Sequence, residues 1–463
     1  MIKINHDLSP EQLRKKVERL WNTSAGKIWS IDRDDKPGAA TPVFTVRGKY
    51  TARGWTEWTQ GFVYGSAILQ FDATGDEAFL KLGRDRTIHR MAHHVTHTGV
   101  HDHGFNNVST YGNLWRLMRE GRIAANDRER DLYELALKCS GAVQASRWTH
   151  LANGEGFIHS FNGPHSLFAD TIRSLRALAL SHQLGHVLMG ERDEKISLLQ
   201  RLVFHARATA KWAVYYGEGR DAFDVRGRVA HESIFNVNDG SYRCPNSQQG
   251  WSPFTTWTRG LAWVMCGFTE LLEWLPTVGD AELEKCGGLE AVETMMLNAA
   301  RATCDFYIEN TPGDGVPYWD TGAPGLLRLP SYLDRASHPY NEHEPVDSSA
   351  AAIAAQGLLR LGRYFRSRGQ NGDAGRYWHA GLTVVGTLFD EPYLSSDQDH
   401  QGLLLHSVYH RPNGWDHIPE GRKVPCGEST MWGDYHAREL ALYVQRVLEN
   451  KPYLTFFGPR EGG

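Results

Sequence analysis

WSPFTTWTRGLAWVMCGFTE, residues 251–270, is the stretch on which the reading of this chain turns. It carries an arginine, tryptophans and small residues on one expected helix. Arg259 and Trp263 stand four apart, so they share a helix face. A guanidinium beside an indole suits a sugar acid: the guanidinium grips the carboxylate and the indole covers the ring's apolar face. A buried helix whose arginine pairs with a nearby acid fits the same residues equally well.

Outward from this helix, apolar residues recur at i, i+3, i+4 and i+7 along nearly the whole chain. Helices are expected near 10–29, 58–73, 77–97, 106–119, 126–147, 167–184, 193–216, 254–274, 289–309, 347–367, 373–389 and 429–449. Start signals agree at Ser9-Pro10 and at Asp347-Ser348, and Gly75, Gly185 and Gly372 punctuate the joints. Twelve helices in near-even succession predict six antiparallel hairpins closed into a ring, an (α/α)6 barrel forming a single domain over residues 1–463. An open solenoid is the alternative, but no repeat of fixed period is present. Three longer segments interrupt the helices, 217–253, 310–346 and 390–428, all rich in Gly, Pro, aromatics and His. In a barrel of hairpins, alternate loops lie at one end, where long ordered loops wall a cleft. Within the first segment, HESIFNVNDGSYRC predicts a hairpin around Asp239-Gly240.

The formal charge of −4 argues against nucleic acid and against an anionic membrane surface. No apolar run approaches a membrane span, and the first twenty residues lack an apolar signal core. Six cysteines without CxxC pairs fit reduced thiols in a cytoplasmic protein better than a disulfide or zinc frame. Fifteen tryptophans point to carbohydrate or to an aromatic core.

Two acids stand in unusual settings. Asp102, in VHDHGF, lies at a loop-to-helix junction, where a helix cap is the plain alternative. Asp170, in SLFADTIRSL, is flanked by Leu167, Phe168, Ala169 and Ile172, so an acid is expected inside an apolar helix. There it pairs, for instance with Arg173, or its pKa rises into the range of a general acid at neutral pH. The histidines His89, His93, His94, His97, His101 and His103 are dense, but no HExxH or comparable ligand set is present, and neither a metal nor another cofactor is expected. Trp55, Trp58 and Phe62 stack on a sugar or fill the barrel, with core packing favoured for Phe62. His231 and Gln249, in the first long segment, are neutral polar groups able to hydrogen-bond a substrate or simply be solvated. No GxSxG, P-loop or GxGxxG context is present.

With these residues in view, the chain resembles the unsaturated glucuronyl hydrolases, glycoside hydrolase family 88. The resemblance rests on HDHGF at 101–105, ADTIRSL at 169–175, QGWSPFTTWTRGLAW at 249–263, PYWDTGAP at 317–324, DSSAAAIAAQGLL at 347–359 and WGDY at 432–435. It implies an (α/α)6 barrel and a hydrolase acting on oligosaccharides that end in an unsaturated uronic acid. Such enzymes hydrate the C4=C5 double bond that a polysaccharide lyase leaves on the non-reducing ring. By the same resemblance, Asp170 is the proton donor and then the base, and Asp102 holds substrate and sets the charge of Asp170. Trp58, His231, Gln249, Arg259 and Trp263 match substrate-binding positions. His103, Phe161 in place of a tryptophan platform, and a loop VYHRPNGWDH without a serine-and-lysine cluster depart from the family pattern. A conventional glucuronidase, an unsaturated rhamnogalacturonyl hydrolase and a sugar 2-epimerase are the alternatives on this fold.

Overall fold

The computed structural model describes residues 1–36, 38–54, 57–451 and 455–458; Trp55 lies outside the described residues. Twelve helices form the frame. They are α1 (Pro10–Asp34), α2 (Gln60–Thr74), α3 (Glu77–Arg90), α4 (103–119), α5 (Asp127–Ser146) and α6 (171–183), followed by α7 (Leu198–Trp212), α8 (Thr258–Trp274), α9 (Leu289–Asn310), α10 (Ser348–Ser367), α11 (Asn371–Leu388) and α12 (Met431–Leu448). The α4 helix contains a π-helical turn at Val108–Gly112, and α6 breaks at Leu175. The even-numbered helices form an inner ring: each packs on the next, and α12 closes onto α2. The odd-numbered helices lie outside, α1 against α2 and α12, α5 against α4 and α6, α11 against α10. The expected (α/α)6 barrel is therefore the observed architecture.

Residue pattern explains the two rings. The outer α1 buries only one stripe, Leu13, Val17, Leu20, Trp21, Ser24, Lys27, Ile28 and Ile31, and the rest is at least partly open to water. The inner α8 buries all but one of its residues, as a helix packed on every side must. The polar groups that this inner ring does carry meet along the barrel's interior. Arg173 pairs with Glu270 at 2.8 Å and Glu439 at 3.1 Å, and Arg176 reaches Glu439 at 3.6 Å. Such pairing is the condition under which buried charge is tolerated.

Connections from inner to outer helices run from 75–76 and 368–370 up to 184–197 and 275–288, whereas three of those from outer to inner helices are much longer: 213–257, 311–347 and 389–430. All three long segments read from the sequence thus lie at one end, where the inner helices begin. The predicted hairpin is present. Strand β1 (Ser166–Phe168) pairs antiparallel with β2 (Glu232–Phe235), which pairs antiparallel with β3 (Tyr242–Asn246). Gly240 turns this hairpin at φ 69°, a conformation that suits glycine.

Three expectations are corrected. Residues 167–184 do not form one helix. The segment starts as β1 and becomes helical only at Thr171, so Asp170 sits between strand and helix rather than inside an apolar helix. The cause is a partner distant in sequence: the Ala169 N–H donates to the His231 carbonyl at 2.9 Å, extending the β1–β2 pairing. The third helix ends at Arg90, and a short turn of helix, Ala92–Val95, follows it. Gly372 lies within α11; the turn before it is made by Gly369, at φ 73°.

Among the described residues, no helix is long and apolar enough to cross a membrane. All six cysteines are free.

Candidate active site

A cavity opens at the end where the inner helices begin. Asp102, Asp170, Trp58, Gln249, Arg259 and Trp263 all line it. The residues that hold the two acids are worth following from the backbone up. Gly104 lies so close to α6 that a Cβ there would stand 2.2 Å from the Ser174 carbonyl oxygen. The Gly104 N–H donates to Ser174 Oγ at 2.8 Å, and Ser174 Oγ donates to the His101 carbonyl at 2.8 Å. This crossing brings the loop before α4 against the start of α6, and with it the two acids together.

His101 stands between them. Its Nε2 is 3.3 Å from Asp170 Oδ1 and 3.8 Å from Asp102 Oδ1. Asp102 does not cap α4 with its side chain, which leaves the carboxylate free for the cavity. Arg173 pairs with Glu270 and Glu439, so it is not the partner of Asp170.

The electrostatics correct the assignment of the raised pKa. Burial pushes Asp170 up, but the hydrogen bond and charge of His101, with the charge of Arg259, outweigh it and hold the carboxyl below its ordinary range. Burial raises Asp102, with the charge of Asp170 adding to it against the opposing pull of His101. Burial pulls His101 down, yet the charge of Asp102 and the contact with Asp170 carry it above its ordinary value. The proton of this cluster therefore resides chiefly on the imidazole, with the titrations shared among three groups.

His231 is held by β2 and walled by Phe168 and Trp257, with ring centroids at 4.5 and 4.8 Å. Its Nδ1 accepts the N–H of Gln248 at 3.0 Å and of Gln249 at 3.4 Å. Two backbone donors on Nδ1 put the ring hydrogen on Nε2, and burial keeps the ring neutral by pulling its pKa down. That Nε2 is buried and has no hydrogen-bond partner in the protein.

Arg259 differs from the sequence expectation of a free fork for a carboxylate. One terminal nitrogen donates to Asp347 Oδ2 at 3.0 Å and to the Val408 carbonyl at 2.5 Å. The other donates to Gln249 Oε1 at 3.1 Å and the Tyr409 carbonyl at 2.7 Å. All four terminal N–H groups are thus engaged, and the guanidinium lies between the rings of Trp257 and Trp432. Asp347 supplies this ion pair while also capping α10 through the amides of Ser349 and Ala350. Of the two readings of residues 251–270, the structure shows the arginine paired with a buried acid, at the wall of the cavity.

Trp58 stacks on Trp432 with centroids 4.9 Å apart and 24° between planes. Trp263 packs against Phe105 at 4.8 Å. Phe62 is fully buried in the barrel. Phe161, where the resemblance implied a tryptophan, lines the cavity and lies parallel to His101 at 6.1 Å. His103 points away from it, bonded to Ser140 Oγ at 3.0 Å and to the His97 carbonyl at 2.9 Å, and burial pushes it down to about 4. His94 bonds Gln60 at 2.6 Å and Asn106 at 3.1 Å. Among the described residues, no three His, Cys, Asp or Glu side chains are grouped to hold a metal.

Sequence reasoning missed Gln248, Trp257, Tyr409 and His410, all of which line the cavity. Tyr409 and His410 are presented by a loop whose amides both donate to the Asp416 carboxylate. The only local signal was the aromatic, histidine-rich character of the long segments.

A closed ring of helical hairpins, with a carboxylate pair and an aromatic-walled cavity at its loop end, makes the chain an (α/α)6 barrel with a candidate active site. No family model matches it. It is 25% identical over 405 residues to the unsaturated glucuronyl hydrolase of Bacillus sp. (strain GL1), covering 86% of this chain and 89% of that one. It is 24% identical over 396 residues to the unsaturated glucuronyl hydrolase of Formosa agariphila, covering 85% and 81%. The solved structure of an unsaturated glucuronyl hydrolase specific for heparin matches it with a TM-score of 0.69 at 18% identity, over 94% of this chain and 98% of that one. The resemblance carried by the sequence motifs thus extends over most of the chain, and the solved neighbour shares its fold.

Proposed function

We propose that the chain is a glycoside hydrolase that removes the 4,5-unsaturated uronic acid from the non-reducing end of lyase-generated oligosaccharides by hydrating its C4=C5 bond. The observation that carries this reading is the pair Asp102 and Asp170 flanking the single imidazole of His101 in an aromatic-lined cavity. Hydration of an enol ether needs a proton for one carbon and a water for the other, so one group that cycles between acid and base suffices.

In this reading Trp58, Trp263 and Phe161 cover the ring. Its carboxylate meets neutral donors, the Nε2–H of His231 and the amide of Gln249, while Arg259 holds Gln249 in place and supplies positive potential. His101 passes its proton to Asp170, and Asp170 delivers it to C4. The electron pair of the double bond forms the C4–H bond, leaving C5 as an oxocarbenium ion shared with the ring oxygen. Water adds to C5 and gives a proton back to Asp170, which returns it to His101. The C5 hemiketal then opens to a ketone, and the hemiacetal left at C1 expels the next sugar as an alcohol. Asp102 contacts the substrate and keeps the proton on the imidazole.

The test is the ultraviolet absorbance of a lyase-generated disaccharide incubated with the protein. Loss of the conjugated double bond in step with sugar release supports hydration. Release of sugar with the chromophore intact overturns it in favour of direct glycosidic cleavage by the two carboxylates.

A further inference from the structure

The loop between α7 and α8 carries a second aromatic feature that the proposed reaction does not use. Trp251 is 53% exposed, Phe223 53% and Phe254 43%, and the rings of Phe223 and Phe254 meet with centroids 5.0 Å apart. Large aromatics left half in water on one segment are uncommon on a soluble protein and mark interaction sites.

These side chains sit on a braced backbone. The Trp251 N–H donates to Asp320 Oδ2 at 2.8 Å. Arg228 ties the two parts of the loop together, donating to the Pro253 carbonyl at 3.1 Å and to Asp221 Oδ2 at 2.8 Å. The Phe254 N–H is held by Ser252 Oγ at 3.1 Å. An exposed ring on a fixed segment loses little freedom when it is covered.

Their place in the fold identifies the occupant. The patch belongs to a connection from an outer to an inner helix, so it lies at the cavity end of the barrel. Trp251 is two residues from Gln249, which lines the cavity, and two residues of chain reach at most ~7 Å. In the proposed reaction the unsaturated ring meets Asp102 and Asp170 inside the cavity, so further sugars of a longer chain must leave through its mouth. Sugar rings present flat C–H faces that pack on indole and phenyl faces.

We propose that Trp251, with Phe254 and Phe223, is an outer sugar-binding platform that takes the reducing-side rings of oligosaccharides longer than a disaccharide. The proposal rests on the function given above, and it makes this chain a better enzyme for longer lyase products.

The test compares kcat and KM of the wild type with Trp251→Ala and with the double variant Trp251→Ala/Phe254→Ala, on the unsaturated disaccharide and on the tetrasaccharide from the same polysaccharide. For the tetrasaccharide, the single variant should raise KM roughly three- to tenfold, the worth of one aromatic stacking contact, and the double variant further. Disaccharide kinetics should stay within about twofold, because these rings lie outside the cavity. Trp251→Phe should recover most of the tetrasaccharide KM. Equal losses on both substrates, or an unchanged tetrasaccharide KM, overturn the platform, the latter leaving the patch to a partner protein. A wild type that leaves the disaccharide's double bond intact refutes the proposed function instead, so the two failures are distinguishable.

Discussion

Two regions of this barrel bury carboxylates, and they treat them in opposite ways. In the interior, Glu439 is shared by Arg173 and Arg176, with His436 and Arg360 nearby. Burial pushes its carboxyl up, but those charges win and hold it at about 2. At the cavity, Asp102 and Asp170 share one imidazole, a partner that itself titrates. A carboxylate matched to guanidinium groups is locked as an anion and serves the fold. Carboxylates matched to a histidine keep a mobile proton among them. Proton chemistry thus follows from the kind of partner rather than from burial as such.

The largest effect should separate chemistry from stability at the cavity. Asp170→Asn is expected to lower kcat on unsaturated disaccharide ~100- to 10,000-fold with KM and the unfolding midpoint little changed. Initial rates and urea unfolding read both quantities, and near wild-type turnover would move the donor role to Asp102 or His101. The interior should show the reverse. Glu439→Gln takes from Arg176 its paired acid and leaves Arg173 with Glu270 alone, and should cost about 3–5 kcal/mol in chemical denaturation, while the KM of the folded fraction stays unchanged. A loss below about 1 kcal/mol would show that the interior cluster is not the fastening it resembles.

The helix crossing that joins the acids is open to a smaller perturbation. Gly104→Ala forces a methyl into the Ser174 carbonyl and should cost about 1–3 kcal/mol. It should also depress kcat, because Asp102 and Asp170 no longer meet across His101. Unaltered kcat with lowered stability would mean that the crossing serves packing alone.

The smallest effects are in pH dependence, and their signs differ between the regions. Glu439 sits at about 2 against 4.5 for an unperturbed glutamate, so its stabilisation is complete above 4.5 and is lost as pH falls towards 2. Acid unfolding should therefore become shallower in Glu439→Gln over that window. His101 is raised instead, so its ion pairs stabilise at low pH and are lost as pH rises through its folded value. Wild-type kcat should fall along the same alkaline limb, and His101→Asn should abolish that limb in a pH–rate profile. An alkaline limb unchanged in this variant would return the proton to a carboxyl group.

Much of this was legible in the chain itself. Twelve helices could be counted because the 3.6-residue period is local, and each helix must bury a stripe or a whole surface. The hairpin at Gly240 and the cap at Asp347 were legible for the same reason, since turn and cap chemistry depends on immediate neighbours. Asp170 stood out as an acid among apolar neighbours, and Asp102 as one at a loop-to-helix junction. The strand at Ser166–Phe168 was misread as helix because its apolar run is compatible with either, and only pairing with Glu232–Phe235 decides between them.

Tertiary structure alone decided how the parts meet. Residues 101 and 170 form one proton-holding cluster, and residues 259, 347, 408 and 409 form one hydrogen-bonded knot, although long stretches of sequence lie between them. It turned Arg259 from an open fork into an occupied one and moved the raised pKa from Asp170 to Asp102. The physical reason is range. Periodicity, capping and turns act over a few residues and are written in order along the chain. Electrostatic shifts and the occupancy of donors depend on distances of a few ångströms between groups that only the closed barrel brings together.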